Sequence, residues 1–388
     1  MVAEDSLSYP TTPGRESRSV AISFVSSYGR VGGAQIYLQR LLAELDESWV
    51  RDVISLGHGP LNDRLVRDGH EVHVFPASGG WFSLIGAAWR LRRRLLSRRP
   101  QLVHANGVKA ALVSTLATLG TRLPVLWLKH DFALDGWRAR LIARRCSQIV
   151  GVSSAVTSTF GTSIARKVHV VHPGLDTEDV DRQSARANVI AALGAQPASF
   201  LVTLVGQLIP GKGHTELLEV LPKLRREHPG IIVVFVGAAA YAGNEVYVKE
   251  LEDRIRELDL TDAVRFVGHR DDAQTFISGG DALAIPSLPA AAGAEVEGFP
   301  LVGLEAMGAG TPVVAYRVGG LQEQLGECGL LVPVRDREAL AEAILRLAQD
   351  PELGESLARC GRDRARSRFT TRHMVDGLKL RYRATPAG

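Results

Sequence analysis

Residues 297–315 run Glu297-Gly298-Phe299-Pro300-Leu301-Val302-Gly303-Leu304-Glu305-Ala306-Met307-Gly308-Ala309-Gly310-Thr311-Pro312-Val313-Val314-Ala315. Phe299 and Pro300 close a loop, Leu301 to Met307 has helical character, and Gly310-Thr311-Pro312 turns the chain into an apolar strand. A loop, a short helix and a strand in that order form the second half of a βαβ unit, which predicts an α/β fold with a parallel sheet. Two carboxylates, Glu297 in the loop and Glu305 on the second helical turn, bracket the helix start. That start presents free N–H groups and positive dipole potential, suited to phosphate oxygens. The carboxylates beside it are suited to accept hydrogen bonds from sugar hydroxyls. The competing reading is a capping Glu and a surface Glu.

Working outward, the same alternation covers the chain. Strand candidates at Ser19–Val25, Val50–Leu56, Glu71–Phe75, Gln101–His104, Pro124–His130, Gln148–Val152 and Lys167–Val171 are separated by helix-length segments. A polar stretch, Asp176 to Ala195, follows the hinge candidate Pro173-Gly174. The pattern then restarts with Ala198–Val205, Ile231–Val236, Val264–Val267, Ala282–Ile285 and Pro312–Ala315. From Arg337 to Arg383 the pattern is helical, broken near Asp350-Pro351 and Phe369-Thr370. A chain of 388 residues, 45% hydrophobic and 23% charged, has ordinary globular composition and length for two domains. Two open parallel sheets facing each other imply a cleft at the carboxyl ends of their strands.

Residues suited to chemistry fall at those strand ends. Leu204-Val205-Gly206-Gln207-Leu208-Ile209-Pro210-Gly211-Lys212-Gly213-His214 is a strand, a Gly-rich turn and a helix start, with Lys212 as the cation of a diphosphate clamp. A surface Lys in a tight turn is the alternative. Val318-Gly319-Gly320-Leu321 and Gly32-Gly33-Ala34-Gln35 are glycine turns that let backbone approach phosphate, or ordinary strand-to-helix turns. His130 ends a strand candidate and points into the predicted cleft, although a lone His is more often structural. His104 and Asn106 lie at another strand end and are acceptor-side candidates. Ser153 or Ser154 is either a cleft residue or a plain helix cap.

The 297–315 stretch resembles the E-x7-E signature of the retaining glycosyltransferases of GT-B fold, in particular glycosyltransferase family 4. The resemblance runs from Val20 to about Phe369. It implies two doubly wound Rossmann-like domains facing a cleft, with C-terminal helices returning toward the first. The boundaries are a disordered tail over 1–17, an acceptor-side domain over 18–173, a nucleotide-sugar domain over 174–369, and a returning helix over 370–388. Carried over, Glu297 contacts the donor sugar and Glu305 the ribose, with Glu295 competing for the first role. Gly298, Phe299, Pro300 and Leu301 line the donor, and Gly32, Gly33, Gly319 and Gly320 face its phosphates. The loop 289–294 is longer than the usual pattern. The segment around Lys212 resembles the family's G-R-x-x-x-x-K-G, with Gln207 where the family has Arg. His130 matches a His beside the transferring sugar, and Ser154 falls in a V-S-x-x segment. The resemblance further implies a retaining hexosyltransferase without a carboxylate nucleophile and without a metal. Its donor is a UDP-sugar ahead of a GDP-sugar, and its acceptor a hydroxyl compound. An epimerase or hydrolase of the same architecture, or a non-catalytic sugar-nucleotide-binding subunit, are the rival readings.

Charge adds a partner. The net charge is only +4, yet no acidic residue occurs from Val72 to His130, where Arg90, Arg92, Arg93, Arg94, Arg98, Arg99, Lys109, Arg122 and Lys129 are basic. This points to an anionic or lipid-linked acceptor, or to peripheral contact with an anionic membrane, and not to nucleic acid. Trp81 to Arg99 predicts an amphipathic helix in which Trp81, Leu84, Ile85, Ala88, Leu91 and Leu95 share the apolar face, opposite Arg90, Arg93, Arg94 and Arg98. An ordinary helix packed on the sheet is the alternative. No apolar run is long enough to span a bilayer. Cys146, Cys328 and Cys360 read as reduced thiols, which together with the missing secretory signal predicts a cytoplasmic protein.

Overall fold

Aliphatic and β-branched runs form two sets of parallel strands. The first set is β1 (Ile22–Ser26), β2 (Val50–Ser55), β3 (Val72–Val74), β4 (Leu102–Asn106), β5 (Val125–Lys129), β6 (Gln148–Gly151) and β7 (Val168–Val170). The second is β8 (Phe200–Val205), β9 (Ile231–Val236), β10 (Val264–Gly268), β11 (Ala282–Ile285), β12 (Val313–Tyr316) and β13 (Leu330–Val332). The computed structural model describes residues 19–30, 32–132, 136–176, 180–239, 244–289 and 297–385. The tail expected over 1–17, Glu295 and the loop 290–294 lie outside them.

The strands pair in the orders β3-β2-β1-β4-β5-β6-β7 and β10-β9-β8-β11-β12-β13. The α/β class and the two Rossmann-like halves read from the sequence are therefore present. Helices cover both faces, so the strands are mostly apolar; every residue of Ile231–Val236 is apolar and buried. Strand order reverses between β1 and β4 and again between β8 and β11. Chains leaving those strands splay apart and leave a crevice at the carboxyl ends, which is where a ligand fits.

Four expectations need correction. The stretch 176–195 holds a helix, Arg182–Leu193, capped by Asp181 and ended by left-handed Gly194. It buries only Ala185, Val189 and Leu193, so its apolar stripe is thin and its sequence looks polar. The edge strand β13 reads Leu-Leu-Val, without the alternation that marks the equally short Val-His-Val strands β3 and β7. Cys328 and Cys360 form a disulfide between the turn before β13 and the helix Pro351–Arg368, a proximity made by packing across 32 residues of sequence. Only Cys146 is a free thiol, buried and with its pKa pushed up to about 12 by burial. Finally, the helix Trp81–Arg98 buries Ala87, Ala88, Leu91 and Leu95, while Trp81 and Ile85 face solvent. The apolar side chains wrap too far around the helix for one sheet to cover.

The linker crosses between the domains at Gly174, where a β-carbon would run into the backbone of Thr370 and Thr371. Leu175 N–H donates to Phe369 O at 2.8 Å, so the outward and returning crossings lie side by side. After the return crossing, the helix Thr371–Ala384 buries Met374, Val375, Leu378 and Tyr382. Tyr382 Oη is 2.8 Å from His104 Nδ1, and Gln148 Nε2 donates to Arg381 O at 3.2 Å. These contacts seat the last helix against the first sheet.

Truncating that anchor tests the seating. Tyr382→Ala should cost about 3–5 kcal/mol by opening a cavity at a fully buried ring. Tyr382→Phe, which only orphans His104, should cost about 1–3 kcal/mol. Urea unfolding of the two variants measures the difference.

Candidate active site at the carboxyl ends of the two sheets

Past β8 the chain turns at Gly206 and passes Gln207, which is partly buried, before the short turn Pro210–Lys212. Gly213 follows in left-handed conformation, φ 75°, with the Pro286 carbonyl where a β-carbon would sit. The helix His214–Glu227 begins immediately after it. This tight geometry folds Lys212 back toward the loop after β11. Its Nζ lies 2.6 Å from Glu297 Oε1, and Ser287 Oγ donates to the same oxygen at 2.6 Å. Glu297 is buried. Burial alone would raise its pKa, but the Lys212 charge and the hydrogen bonds from Lys212 and Ser287 outweigh it and hold the carboxyl below its ordinary range. Glu297 is thus an anion at neutral pH, fixed in orientation.

Glu305 sits on the second turn of the helix Leu301–Ala309. Arg40, from the helix Gly33–Ala43 of the first domain, reaches it at 3.3 Å and also donates to Gly174 O at 3.3 Å. Neither of these two helices has a side-chain cap at its N-terminus, where Gly32 and Pro300 stand. Gly33 is close enough to Leu301 that a β-carbon would meet its Cδ1 at 3.9 Å. Two helix starts with free N–H groups therefore converge across the cleft, an arrangement suited to an anion.

His130 follows β5. Its Nε2 lies 2.6 Å from Asn106 Oδ1, and Asn106 Nδ2 donates to Ala34 O at 3.0 Å. The amide orientation makes Nε2 the protonated nitrogen of a neutral ring, and desolvation lowers its pKa, which keeps it neutral. Tyr37 packs edge-on against the imidazole, with centroids 5.2 Å apart. The His130 carbonyl lies directly on Gly298, the Gly298 carbonyl lies on Gly320, and neither glycine has room for a side chain. Gly320 N–H donates to Glu297 O at 2.9 Å, and Gly319 is left-handed with φ 51°. His130 of one sheet and Glu297 of the other are thereby locked on either side of a backbone stack.

The structure relocates other candidates. His104 is buried beneath Tyr382 against Phe24, two residues before the end of β4, and burial pushes its pKa down to about 3. Asn106 is buried as well and acts on His130. Ser153 is the helix cap, accepting from Val156 N–H, whereas Ser154 bonds to Glu323 of the second domain. Phe299 turns away from the cleft into a cluster with His172 and Phe369. Ser287, Arg40 and Glu323 were not among the sequence candidates. Ser287 could have been found by its place two residues past β11; the other two are joined to the site only by long-range packing.

Comparison with known proteins agrees with this geometry. Residues 31–179 match the family described as Glycosyltransferase Family 4, and residues 186–364 match Glycosyl transferases group 1. A D-inositol 3-phosphate glycosyltransferase of Saccharomonospora viridis is 36% identical over 228 residues, 57% of this chain and 51% of that one, so the match spans about half that relative's length. A GDP-mannose-dependent alpha-(1-6)-phosphatidylinositol monomannoside mannosyltransferase of Mycobacterium tuberculosis is 30% identical over 270 residues, 65% of this chain and 68% of that one. The crystal structure of Anabaena Alr3699/HepE in complex with UDP-glucose superposes with a TM-score of 0.81 at 24% identity, covering 94% of this chain and all of that one. With its two facing Rossmann-like sheets and both halves matched, the chain belongs to glycosyltransferase family 4 and has the GT-B fold.

Proposed function

We propose that the protein transfers a hexose, with retention, from a nucleoside-diphosphate sugar to a hydroxyl acceptor that is anionic or lipid-linked. The observation that carries this reading is the Lys212–Glu297–Ser287 cluster beside an uncapped helix start, with neutral His130 opposite. A donor diphosphate fits the Leu301–Ala309 helix start and Lys212, with Glu297 on the sugar hydroxyls and Glu305 on the ribose in place of Arg40. The C1–O bond to the diphosphate breaks as the acceptor oxygen bonds to C1 on the same face. The acceptor proton passes to a diphosphate oxygen. Glu297, tied to Lys212, orients the sugar and is not the nucleophile. This reading assigns neutralisation of the leaving charge to Lys212 and helix N–H groups rather than to a metal. A UDP-sugar is placed ahead of a GDP-sugar; proteins similar to this chain are named for each.

An anionic acceptor is supported at the first-domain side of the cleft. Lys109, just past β4, stands 4.0 Å from the Tyr28 ring centroid, and Arg30 approaches the same ring at 5.6 Å. Burial first, and then the Arg30 charge, lower the Lys109 pKa, a strain that an acceptor phosphate or carboxylate relieves.

Work at the inner face of an anionic membrane is supported by the exposed side chains of the Trp81–Arg98 helix. Trp81 is 68% exposed and Phe82 91%, with Ile85 and Trp89 beside them. Trp137 and Leu141, on the helix Trp137–Arg145, add to the exposed apolar surface, and Arg93 and Arg138 stack on Trp89 and Trp137. Arg94 and Arg98 pair with Asp52 and Glu71, and Lys129 is buried, so these three bases do not contribute. Among the described residues no helix is long and apolar enough to cross a membrane. Aromatic anchors with nearby arginines are the chemistry of interfacial docking.

Three measurements test these readings. Calorimetric titration with UDP and GDP should give tight binding of one of them. Lys212→Ala should weaken it by about tenfold or more, as loss of a charge-assisted hydrogen bond worth about 1.5–3 kcal/mol implies; unchanged affinity removes the clamp. Glu297→Ala should depress kcat, while Glu305→Ala should chiefly weaken nucleotide binding; the opposite pattern reverses the roles. Co-sedimentation should show binding to vesicles rich in phosphatidylglycerol and not to neutral phosphatidylcholine vesicles. Trp81→Ser with Phe82→Ser should abolish it, and Arg90→Ser with Arg93→Ser should weaken it and leave a residual binding that is less salt-sensitive. Absence of binding to either vesicle returns both helices to a structural role.

A further inference from the structure

Glu323 lies on the short helix Leu321–Leu325 that follows the Gly319-Gly320 turn, and its side chain leaves its own domain. Its Oε2 accepts from Ser154 N–H at 2.7 Å, its Oε1 accepts from Ser154 Oγ at 3.0 Å, and Oε1 is 2.6 Å from His172 Nε2. Ser154 opens the helix after β6, and His172 lies just before the Gly174 crossing. One carboxylate thus completes a helix cap in the first domain and holds the linker as well. Burial would raise its pKa, but the His172 hydrogen bond and charge and the bonds from Ser154 outweigh this and keep it ionised. Its own backbone is held from behind, with Arg364 donating to the carbonyls of Glu323 and Gln324 at 2.8 Å each.

The tie is adjacent to the reacting groups without being one of them. Gly320, three residues before Glu323, sits under Gly298 and against Ser153, so its β-carbon would fall 3.1 Å from Ser153 Cβ. Gly298 in turn lies on the His130 carbonyl and near Val152, on the loops after β5 and β6. The strand ends that carry His130 and Ser154 therefore meet the loops that carry Glu297 and Glu323 in one small area. His172 also packs on Phe299 and Phe369, at 5.2 and 5.3 Å between centroids, so the same contact reaches the loop that contains Glu297. Backbone stacking limits how closely the domains approach, but has no directional attraction to hold them there. A charge-assisted carboxylate with three donors supplies that.

We propose that Glu323 is the positioning residue for the closed arrangement of the two domains: by tying Ser154 and His172 it holds His130 at its working distance from Glu297. The inference rests on the glycosyl-transfer reading only for its kinetic consequence; the domain arrangement is independent of it. The side chains assigned to the donor, Lys212, Glu297 and Glu305, are all in the second domain, with only the backbone of the Gly33–Ala43 helix start opposite, so most of the donor affinity should survive loss of the tie. Turnover needs both domains together.

The test compares wild type with Glu323→Ala and Glu323→Gln. Small-angle scattering of each, without ligand and with UDP or GDP, reads the domain arrangement. Glu323→Ala should enlarge the radius of gyration. Affinity for the nucleoside diphosphate should stay within about twofold while kcat falls by on the order of 10- to 100-fold, as misplacement of reacting groups across a cleft implies. Glu323→Gln, which can accept from Ser154 and donate to His172, should recover most of both. A scattering profile and kcat unchanged in Glu323→Ala overturn the proposal, as does a loss of nucleotide affinity with kcat retained, which would place Glu323 in the donor pocket. Loss of thermal stability alone, with kcat per folded molecule unchanged, also overturns it. If wild type binds neither nucleotide, the glycosyl-transfer reading fails while the scattering comparison still decides the tie.

Discussion

Three backbone segments meet without an intervening side chain: the His130 carbonyl after β5, Gly298 after β11 and Gly320 after β12. Any β-carbon at either glycine would collide with a carbonyl, so this contact sets the minimum separation of the two domains. Much else in the site follows from it. His130 and Glu297 are immediate neighbours of the stack, and the Leu301–Ala309 helix starts three residues beyond Gly298. The distance from the Leu301–Ala309 helix start to the first-domain imidazole is thereby a property of backbone packing, which is far stiffer than a contact between long side chains.

Within that frame the electrostatics are economical. A buried carboxylate is costly unless it is paired and hydrogen-bonded, and Glu297 has both Lys212 and Ser287 on one oxygen. Removing Lys212 would leave Glu297 buried without a counter-charge, so the pair defines a site that is ordered before ligand arrives. Arg40 does the equivalent for Glu305 from across the cleft. Both signature carboxylates are thus engaged by cations in the free protein, and a donor that binds them must exchange hydroxyl groups for those partners. Such exchange favours ligands that also bring negative charge for the cations, as a diphosphate does.

The domain connection is built from aromatic packing as well as polar contacts. His172, Phe299 and Phe369 come from the first crossing, the signature loop and the return crossing, and all three pairs lie at 5.2 to 5.3 Å between centroids. Arg364 stacks on Phe369 and holds the carbonyls of Glu323 and Gln324. A shift of either crossing is therefore felt at Phe299, two residues after Glu297. The last helix, seated on the first sheet through Tyr382, keeps both crossings together.

Local pattern was enough for the α/β alternation, the two Rossmann-like halves, the place of Lys212, Glu297 and His130 in segments that follow strands and that of Glu305 on a helix, because these depend on periodicity and on glycine and proline turns a few residues away. Twelve of the thirteen strands among the described residues were legible for the same reason; β13, Leu-Leu-Val, lacks the alternation of the equally short Val-His-Val strands β3 and β7. Which polar side chains face the cleft is set by packing between elements far apart in the chain. His104 and Asn106 lie two apart on β4, on the same face, and look equivalent in sequence, yet Tyr382, 278 residues away from His104, covers the first, and His130 takes up the second. The Cys328–Cys360 bridge, the Arg40–Glu305 pair and the Glu323 contact to Ser154 likewise join residues distant in the chain. Their partners are chosen by how helices and domains pack, and no local pattern encodes such a choice. The solvent-facing Trp81 and Phe82 make the same point in reverse: an apolar residue on a helix predicts burial, but whether anything covers it is settled by the shape of the rest of the molecule.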